Sequence, residues 1–137
     1  MTDFQTLRYE SRDRKAYITL SRPERLNAID ELMPREIRAA VERADADPNV
    51  HVIILGGDGA AFCAGYDLKK FAEEDSKWNQ VGPSWDPIQD YRGMRRNTDD
   101  FFTLFRALTP SICKVHGYAV AGGSDIALCC EDRKSHV

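Results

Sequence analysis

The stretch that decides the fold is VHVIILGGDG, at positions 50–59. Its first six residues are nearly all apolar, and a short run of this kind is typical of a strand buried on both faces of a sheet. The glycines that follow predict a tight connection at the carboxyl end of that strand. The fold class then depends on which elements flank this segment.

Two elements are predicted before it. The stretch 15–20, KAYITL, mixes β-branched, aromatic and apolar residues and stops at Arg22-Pro23, so we expect a strand there. From about Asp30 to Asp47 apolar residues recur at spacings of three to five, which predicts an amphipathic helix with Pro34 in its first turn. Strand, helix and strand in this order indicate an α/β fold.

Further elements are predicted after it. Asp67 is expected to cap a helix from Leu68 to about Glu74, and residues 78–90, which lack any period, are expected to form a loop. Thr98 should cap a helix that Pro110 ends. The remaining elements are a strand over 111–116, a glycine connection over 117–123 and a helix over 124–130, after which the charged residues 131–137 should add no core element.

Composition excludes several functional classes. The chain has 137 residues and a net charge of −3, so it has no excess positive charge to bind a nucleic-acid backbone. No stretch approaches the roughly 18 apolar residues of a membrane span, and residues 1–9 lack the pattern of a signal peptide, so we expect a cytoplasmic protein without a membrane partner. The four cysteines form no C-x-x-C pair and the three histidines show no ligand spacing, which favours reduced thiols and no metal site.

Two glycine-rich segments, 56–68 and 116–125, each follow a predicted strand and lead into a helix. They could present backbone N–H groups at the carboxyl end of the sheet, where α/β proteins bind ligands, or the glycines could serve only tight turns. A dinucleotide fingerprint fails because Phe62 stands in place of the third small residue, and a nucleophile elbow fails because Ile126 replaces its closing glycine. Ser124 is more simply a helix N-cap, and no phosphate-binding Gly-Lys-Ser/Thr is present.

Three stretches carry a family resemblance: SRPERLNAI at 21–29, AFCAGYDL at 61–68 and VHGYAVAGGSDIAL at 115–128. In order and spacing they resemble the crotonase (enoyl-CoA hydratase/isomerase) superfamily. The resemblance implies a ββα spiral fold that binds acyl-CoA thioesters, acts in fatty acid metabolism and stabilises a thioester enolate. The resemblance also implies that the protein needs no cofactor beyond the coenzyme A of its substrate.

The resemblance also assigns residues. The N–H groups of Tyr66 and Gly122 would hold the thioester oxygen, as two donors fixed before reaction should. The contacts to coenzyme A would be Arg25, Leu26, Ala64, Asp67 and Leu68, although Arg25 could equally be a solvated surface arginine. Asp125 would be the acid/base beside the substrate's α and β carbons, or else a first-turn acid that answers the helix dipole.

The hydratases of the family have Glu where this chain has Asp125, and they use a second Glu farther along, which no residue of 1–137 matches. Residues 1–130 are therefore expected to be the N-terminal part of an acyl-CoA-binding domain, and 131–137 a charged tail outside the family pattern. We expect impaired hydration, with a homotrimer or hexamer implied by the resemblance alone. The alternative is a fragment that only binds acyl-CoA or only assists assembly.

Overall fold

The computed structural model describes residues 4–73 and 86–136. Five strands form one sheet in the order β1 (Leu7–Arg12), β2 (Lys15–Leu20), β3 (Val52–Gly57), β4 (Ser111–His116) and β5 (Asp132–His136). The first pair is antiparallel and the other three are parallel. The helices are α1 (Met33–Ala46), α2 (Leu68–Glu73), α3 (Pro87–Phe101), α4 (Thr103–Arg106) and α5 (Gly122–Leu128). The predicted α/β class is confirmed.

The core lies between the sheet and α1. Alternate residues of β2 and β3, among them Ile18, Ile53 and Leu55, are fully buried. They pack in one cluster with the apolar stripe of α1, which includes Ile37 and Val41. The prediction that β3 is buried on both faces is only half right, because Val52 and Ile54 on its second face remain partly accessible.

Strand β1 was not predicted from the sequence. It reads LRYESR and is mostly exposed, so no apolar pattern identifies it. It forms because Asp13 and Arg14 both adopt positive φ, at 49° and 62°, as the two central residues of a tight hairpin turn do. The turn pairs β1 with β2 over six residue pairs, from Leu7 opposite Leu20 to Arg12 opposite Lys15.

Helix α3 corrects two predictions. Residues 86–90, expected in a loop, contain the helix start, where the Asp86 carboxylate accepts from Ile88 N at 2.9 Å; residues 78–85 lie outside the described residues. Thr98 is therefore an interior residue and its hydroxyl donates to Met94 O. The helix buries Gly93, Asn97 and Phe101, and this largely non-apolar stripe is why no apolar period marked it.

The end of the chain also differs from its prediction. Residues 132–136 form β5 along the edge of β4, from Ile112 opposite Asp132 to His116 opposite His136. Residues 131–135 are exposed. Because ladder hydrogen bonds use only backbone groups, a charged segment can pair with a free strand edge without adding to the core. The predicted domain boundary at residue 130 stays a prediction.

The other elements match their predictions within a few residues. The strands at 15–20 and 111–116 are confirmed as β2 and β4, and the helix expected from Asp30 begins at Met33, where the Asp30 carboxylate accepts from the Leu32 and Met33 N–H groups. Of the helices that the structure describes, none combines the length and apolar composition needed to cross a membrane.

Candidate functional site

The two glycine-rich segments lie side by side at the carboxyl ends of β3 and β4. Phe62 N donates to His116 O at 2.8 Å, and Cys63 N donates to Tyr118 O at 2.9 Å. Val120 N returns a bond to Cys63 O at 3.1 Å. We call residues 56–68 the first junction and residues 116–125 the second junction. Their backbones are joined directly, as their position after neighbouring parallel strands predicts.

The backbone N–H of Tyr66 points away from Ile29, the residue with which Tyr66 forms a β-bridge. Ile29 N donates to Gly65 O at 2.8 Å and Asp67 N donates to Ile29 O at 2.9 Å, so Ile29 forms a parallel bridge with Tyr66. In such a bridge the middle residue points its N–H and C=O to the opposite side. Within residues 4–73 and 86–136, no backbone hydrogen bond is donated by Tyr66 N.

The amide of Gly122 lies at the first position of α5, where an N–H has no acceptor within the helix. The chain turns into the helix at Ala121, which has φ 47°. The next two amides, of Gly123 and Ser124, do bond to the preceding carbonyls, while in the described part of the chain no backbone bond comes from Gly122 N. Its backbone touches the first junction, since an added Cβ would lie 2.8 Å from Cε2 of Tyr66.

Ser124 corrects the predicted N-cap. The cap residue of α5 is Ala121, and the Ser124 hydroxyl donates to Ala121 O at 2.6 Å instead of accepting from the helix. The helix starts two residues before the predicted position because Gly122 and Gly123 can pack their backbones against the first junction.

Asp125 lies on the exposed side of the first turn of α5. Its carboxylate acts on the Tyr66 phenol: burial raises the pKa of Tyr66, the negative charge of Asp125 adds to this, and a hydrogen bond with Asn97 opposes it. The predicted site residues Tyr66, Gly122 and Asp125 therefore lie close together: Gly122 lies against the Tyr66 ring, and Asp125 follows three residues later on α5 with an exposed side chain.

The residues predicted to contact coenzyme A lie at the open side of the first junction. Arg25 ends a 3-10 turn over Pro23–Arg25 and is exposed, and Leu26 is 39% exposed. Leu26 accepts from Ala64 N at 3.0 Å, which joins this turn to the first junction. Leu68, the first residue of α2, is 74% exposed. The structure thus brings together in space the two sequence stretches from which these residues were drawn.

Asp67 differs from the others because its carboxylate is 4% exposed and already bonded. It pairs with Arg22 at 3.0 Å and accepts from Lys70 N at 3.2 Å, which confirms that it caps α2. Burial alone would raise the pKa of Asp67, but the hydrogen bond from Lys70 N and the Arg22 guanidinium outweigh it and hold the pKa below its usual range. Its side chain holds the first junction together and is not free for a ligand.

Sequence reasoning missed the two polar residues that hold the first junction to the segment after β2. Arg22 donates to Ala28 O and pairs with Asp67. Asn27 is fully buried, accepts from Arg22 N and donates to the carbonyls of Asp58 and Ala61 at 2.8 and 2.9 Å. The sequence offered one signal for Asn27: it stands among apolar residues in the stretch LNAI, where a buried polar side chain needs hydrogen-bond partners.

The described residues contain no group of three or more His, Cys, Asp or Glu arranged to hold a metal ion. All four cysteines, Cys63, Cys113, Cys129 and Cys130, are free and buried. The Cys113 thiol is hydrogen-bonded to Cys130, and this bond together with burial raises the pKa of Cys113 well above its usual range.

Comparison with known proteins identifies a family. The model of the enoyl-CoA hydratase/isomerase family matches residues 11–133. A probable enoyl-CoA hydratase of Mycobacterium tuberculosis, echA14, is 36% identical over 118 residues, covering 86% of this chain and 42% of the relative. The peroxisomal probable enoyl-CoA hydratase 1 of Arabidopsis thaliana is 31% identical over 116 residues, 85% of this chain and 38% of that protein.

Solved structures agree with the sequence relatives. An enoyl-CoA hydratase from Mycobacterium smegmatis superposes with a TM-score of 0.87 at 43% identity, and the match covers 97% of this chain and 47% of that one. An enoyl-CoA hydratase/isomerase from Xanthobacter autotrophicus gives a TM-score of 0.81 at 32% identity, with 97% and 46% covered. The predicted crotonase-like fold is confirmed, and the chain spans less than half the length of these relatives.

Proposed function

Because the chain belongs to the enoyl-CoA hydratase/isomerase family, we propose that it binds acyl-CoA thioesters between its two junctions and stabilises a thioester enolate there. The observation that carries the proposal is that Tyr66 and Gly122 lie against each other, while in the described part of the chain neither of their amides donates a backbone hydrogen bond. Two fixed N–H donors of this kind stabilise an oxyanion without reorganising during reaction. The positive end of α5 adds to the effect.

Asp125 takes the role of acid/base in this proposal. Its carboxylate is solvent-accessible and lies three residues after Gly122 on α5, so it follows the proposed carbonyl site on the same helix face. It removes a proton from the α carbon, and the electron pair moves onto the thioester oxygen held by the Tyr66 and Gly122 N–H groups. A proton then returns to the α carbon or, in a substrate with a β,γ double bond, to the γ carbon as that double bond shifts to the α,β position. One carboxylate suffices for exchange or isomerisation, whereas hydration calls for a second acid/base.

Coenzyme A would lie along the open side of the first junction. The exposed guanidinium of Arg25 offers a cation for its phosphates, and the exposed side chains of Leu26 and Leu68 offer apolar surface. Asp67 contributes by holding this surface in place, since its carboxylate is bonded to Arg22. In the cell we expect the substrate to be an acyl-CoA, the location cytoplasmic and the active form a homo-oligomer.

The test combines binding with isotope exchange. Titration of acetyl-CoA by calorimetry should give a saturable signal, and incubation in D₂O should show deuterium entering the α position. Gly122→Val should reduce this exchange about a hundredfold or more, because its side chain collides with Ile29 and the Tyr66 ring and so displaces the proposed N–H donor. Gly56→Val is the matched control, since an added Cβ at Gly56 meets nothing within 4 Å.

Asp125→Asn separates binding from chemistry. It should retain acetyl-CoA binding and lose exchange, because the amide cannot accept the α proton. Exchange as fast in Gly122→Val as in the parent would show that the anion is held elsewhere. Saturable binding without any exchange in the parent chain would favour the alternative of a non-catalytic acyl-CoA-binding protein.

A further inference from the structure

The ring of Tyr66 occupies the corner next to the proposed carbonyl site. It packs edge-on against Phe71, with ring centroids 6.2 Å apart, and its Cε2 and Cδ2 atoms lie against Gly122. The ring is also close enough to Asp125 for that carboxylate to act on its phenol. The Tyr66 ring therefore borders the same helix edge, Gly122 to Asp125, to which we assign the thioester.

Asn97, which is 9% exposed on α3, lies close enough to the Tyr66 phenol to oppose the rise that burial causes in its pKa. Asn97 also lines a cavity of about 760 Å³ between α1 and α3. The other walls of this cavity include the charged side chains of Glu31, Arg35 and Arg96. Asn97 thus lies near the Tyr66 phenol and also lines this polar space.

We infer that Tyr66, whose ring lies against Gly122 and Phe71, is a specificity-determining residue that restricts this site to short acyl chains. The inference rests on the proposed function. An acyl chain that leaves the carbonyl position and passes Asp125 meets the Tyr66 ring after a few carbons. Beyond the ring, a longer alkyl chain would enter a cavity lined by charged groups, where burial of methylenes yields no gain.

The experiment measures dissociation constants for acetyl-, butyryl- and octanoyl-CoA. Each methylene buried in an apolar pocket tightens binding about fourfold. With the parent chain we expect tightening from acetyl to butyryl and none from butyryl to octanoyl. Tyr66→Ala keeps the backbone amide and opens the corner, so octanoyl-CoA should gain at least about tenfold relative to acetyl-CoA, whereas Tyr91→Ala, at an exposed tyrosine of α3, should leave the profile unchanged.

Tyr66→Leu and Tyr66→Val provide a second readout if Tyr66→Ala is poorly folded. Both keep an apolar side chain and remove the ring, so each should give an intermediate gain for octanoyl-CoA. An unchanged profile in all three variants, or a parent chain that already favours octanoyl-CoA, would overturn the inference while leaving the proposed function intact. Absence of saturable binding for every thioester in the folded parent would overturn both.

Discussion

The two junctions present similar amides but are held by different forces. The first junction is tied to the segment after β2 by polar side chains: Arg22 pairs with Asp67, and Asn27 bonds to the carbonyls of Asp58 and Ala61. The second junction is held mainly by close backbone packing, in which an added Cβ on Gly123 would collide with Cys63 O. One of its side chains also reaches the first junction, since His116 Nε2 lies 2.8 Å from Gly59 O.

The proposed donor of the first junction is therefore held in place by charge, and that of the second junction mainly by the volume of the groups packed around it. A junction held by a buried ion pair should respond to charge removal and to pH, since its stability depends on the ionised form of a carboxylate. The glycine contact of the second junction should respond to added volume, and it contains no titratable group. Substitutions that act on one force only can therefore break the two junctions separately.

The largest effect is expected from Arg22→Met. It removes the guanidinium that pairs with Asp67 at 3.0 Å and lies 3.7 Å from Asp30, and leaves two carboxylates of 4% and 10% side-chain exposure. Breaking a buried pair from one side costs about 3–5 kcal/mol of unfolding free energy. Urea denaturation followed by circular dichroism measures this loss.

Arg8→Met is the matched control for that loss. Arg8 also pairs with an aspartate, Asp58, at 2.8 Å, but the two side chains are 67% and 26% exposed. A surface pair of this kind contributes below about 1 kcal/mol. Equal losses in Arg8→Met and Arg22→Met would contradict the view that a buried pair holds the first junction.

The next effect is expected at the second junction from adjacent glycines. Gly123→Ala places its Cβ against the backbone of Cys63, which cannot move cheaply, and overpacking should cost about 2–3 kcal/mol. Gly122→Ala meets side chains and no backbone, namely Cδ1 of Ile29 and the ring edge of Tyr66, so its cost should be smaller than that of Gly123→Ala.

Acetyl-CoA binding should rank these two variants in the opposite order. Gly122→Ala narrows the space beside the proposed donor and should weaken binding in a fully folded protein. Gly123→Ala, measured at low temperature where it remains folded, should bind closer to the parent. If both variants changed stability and binding in parallel, this would contradict the assignment of Gly123 to packing and of Gly122 to ligand binding.

The sequence predicted which segments form the site better than it predicted how they are held. The apolar runs of β2, β3 and β4 and the glycines after them have local signals, so the two junctions could be placed from pattern alone. Arg22, Asn27 and Asn97 act through partners 31 to 45 residues away or through a helix whose buried stripe is not apolar. Such pairings depend on the tertiary arrangement, which no local pattern encodes.

Strand β5 shows the same limit at the sheet edge. Its charged sequence, DRKSH, contains no strand signal, yet it pairs with β4 along its whole length. The pairing is decided by the free edge of β4 and the position at which α5 returns the chain, both of which are tertiary properties. The first part of helix α3 was not predicted for a related reason: its apolar residues Ile88, Tyr91 and Met94 are exposed, so they form no buried stripe.

The smallest effect is the pH dependence of the first junction, tested with Asp67→Asn. The folded pKa of Asp67 is lowered, since the Lys70 N–H bond and the Arg22 guanidinium outweigh the burial that would raise it. A carboxylate with a depressed folded pKa adds stability above its unfolded pKa of about 3.9, and this stability is lost as the pH falls through the folded value. Asn keeps the shape and an oxygen that accepts from Lys70 N, so only the charge is removed. The parent should exceed Asp67→Asn by about 1–2 kcal/mol in unfolding free energy at pH 7, and this difference should shrink toward zero below about pH 4.

The cost of Gly123→Ala should stay constant over the same range, because packing against Cys63 O does not titrate. A pH-independent difference for Asp67→Asn would mean that the first junction, like the second, is held by shape and not by charge.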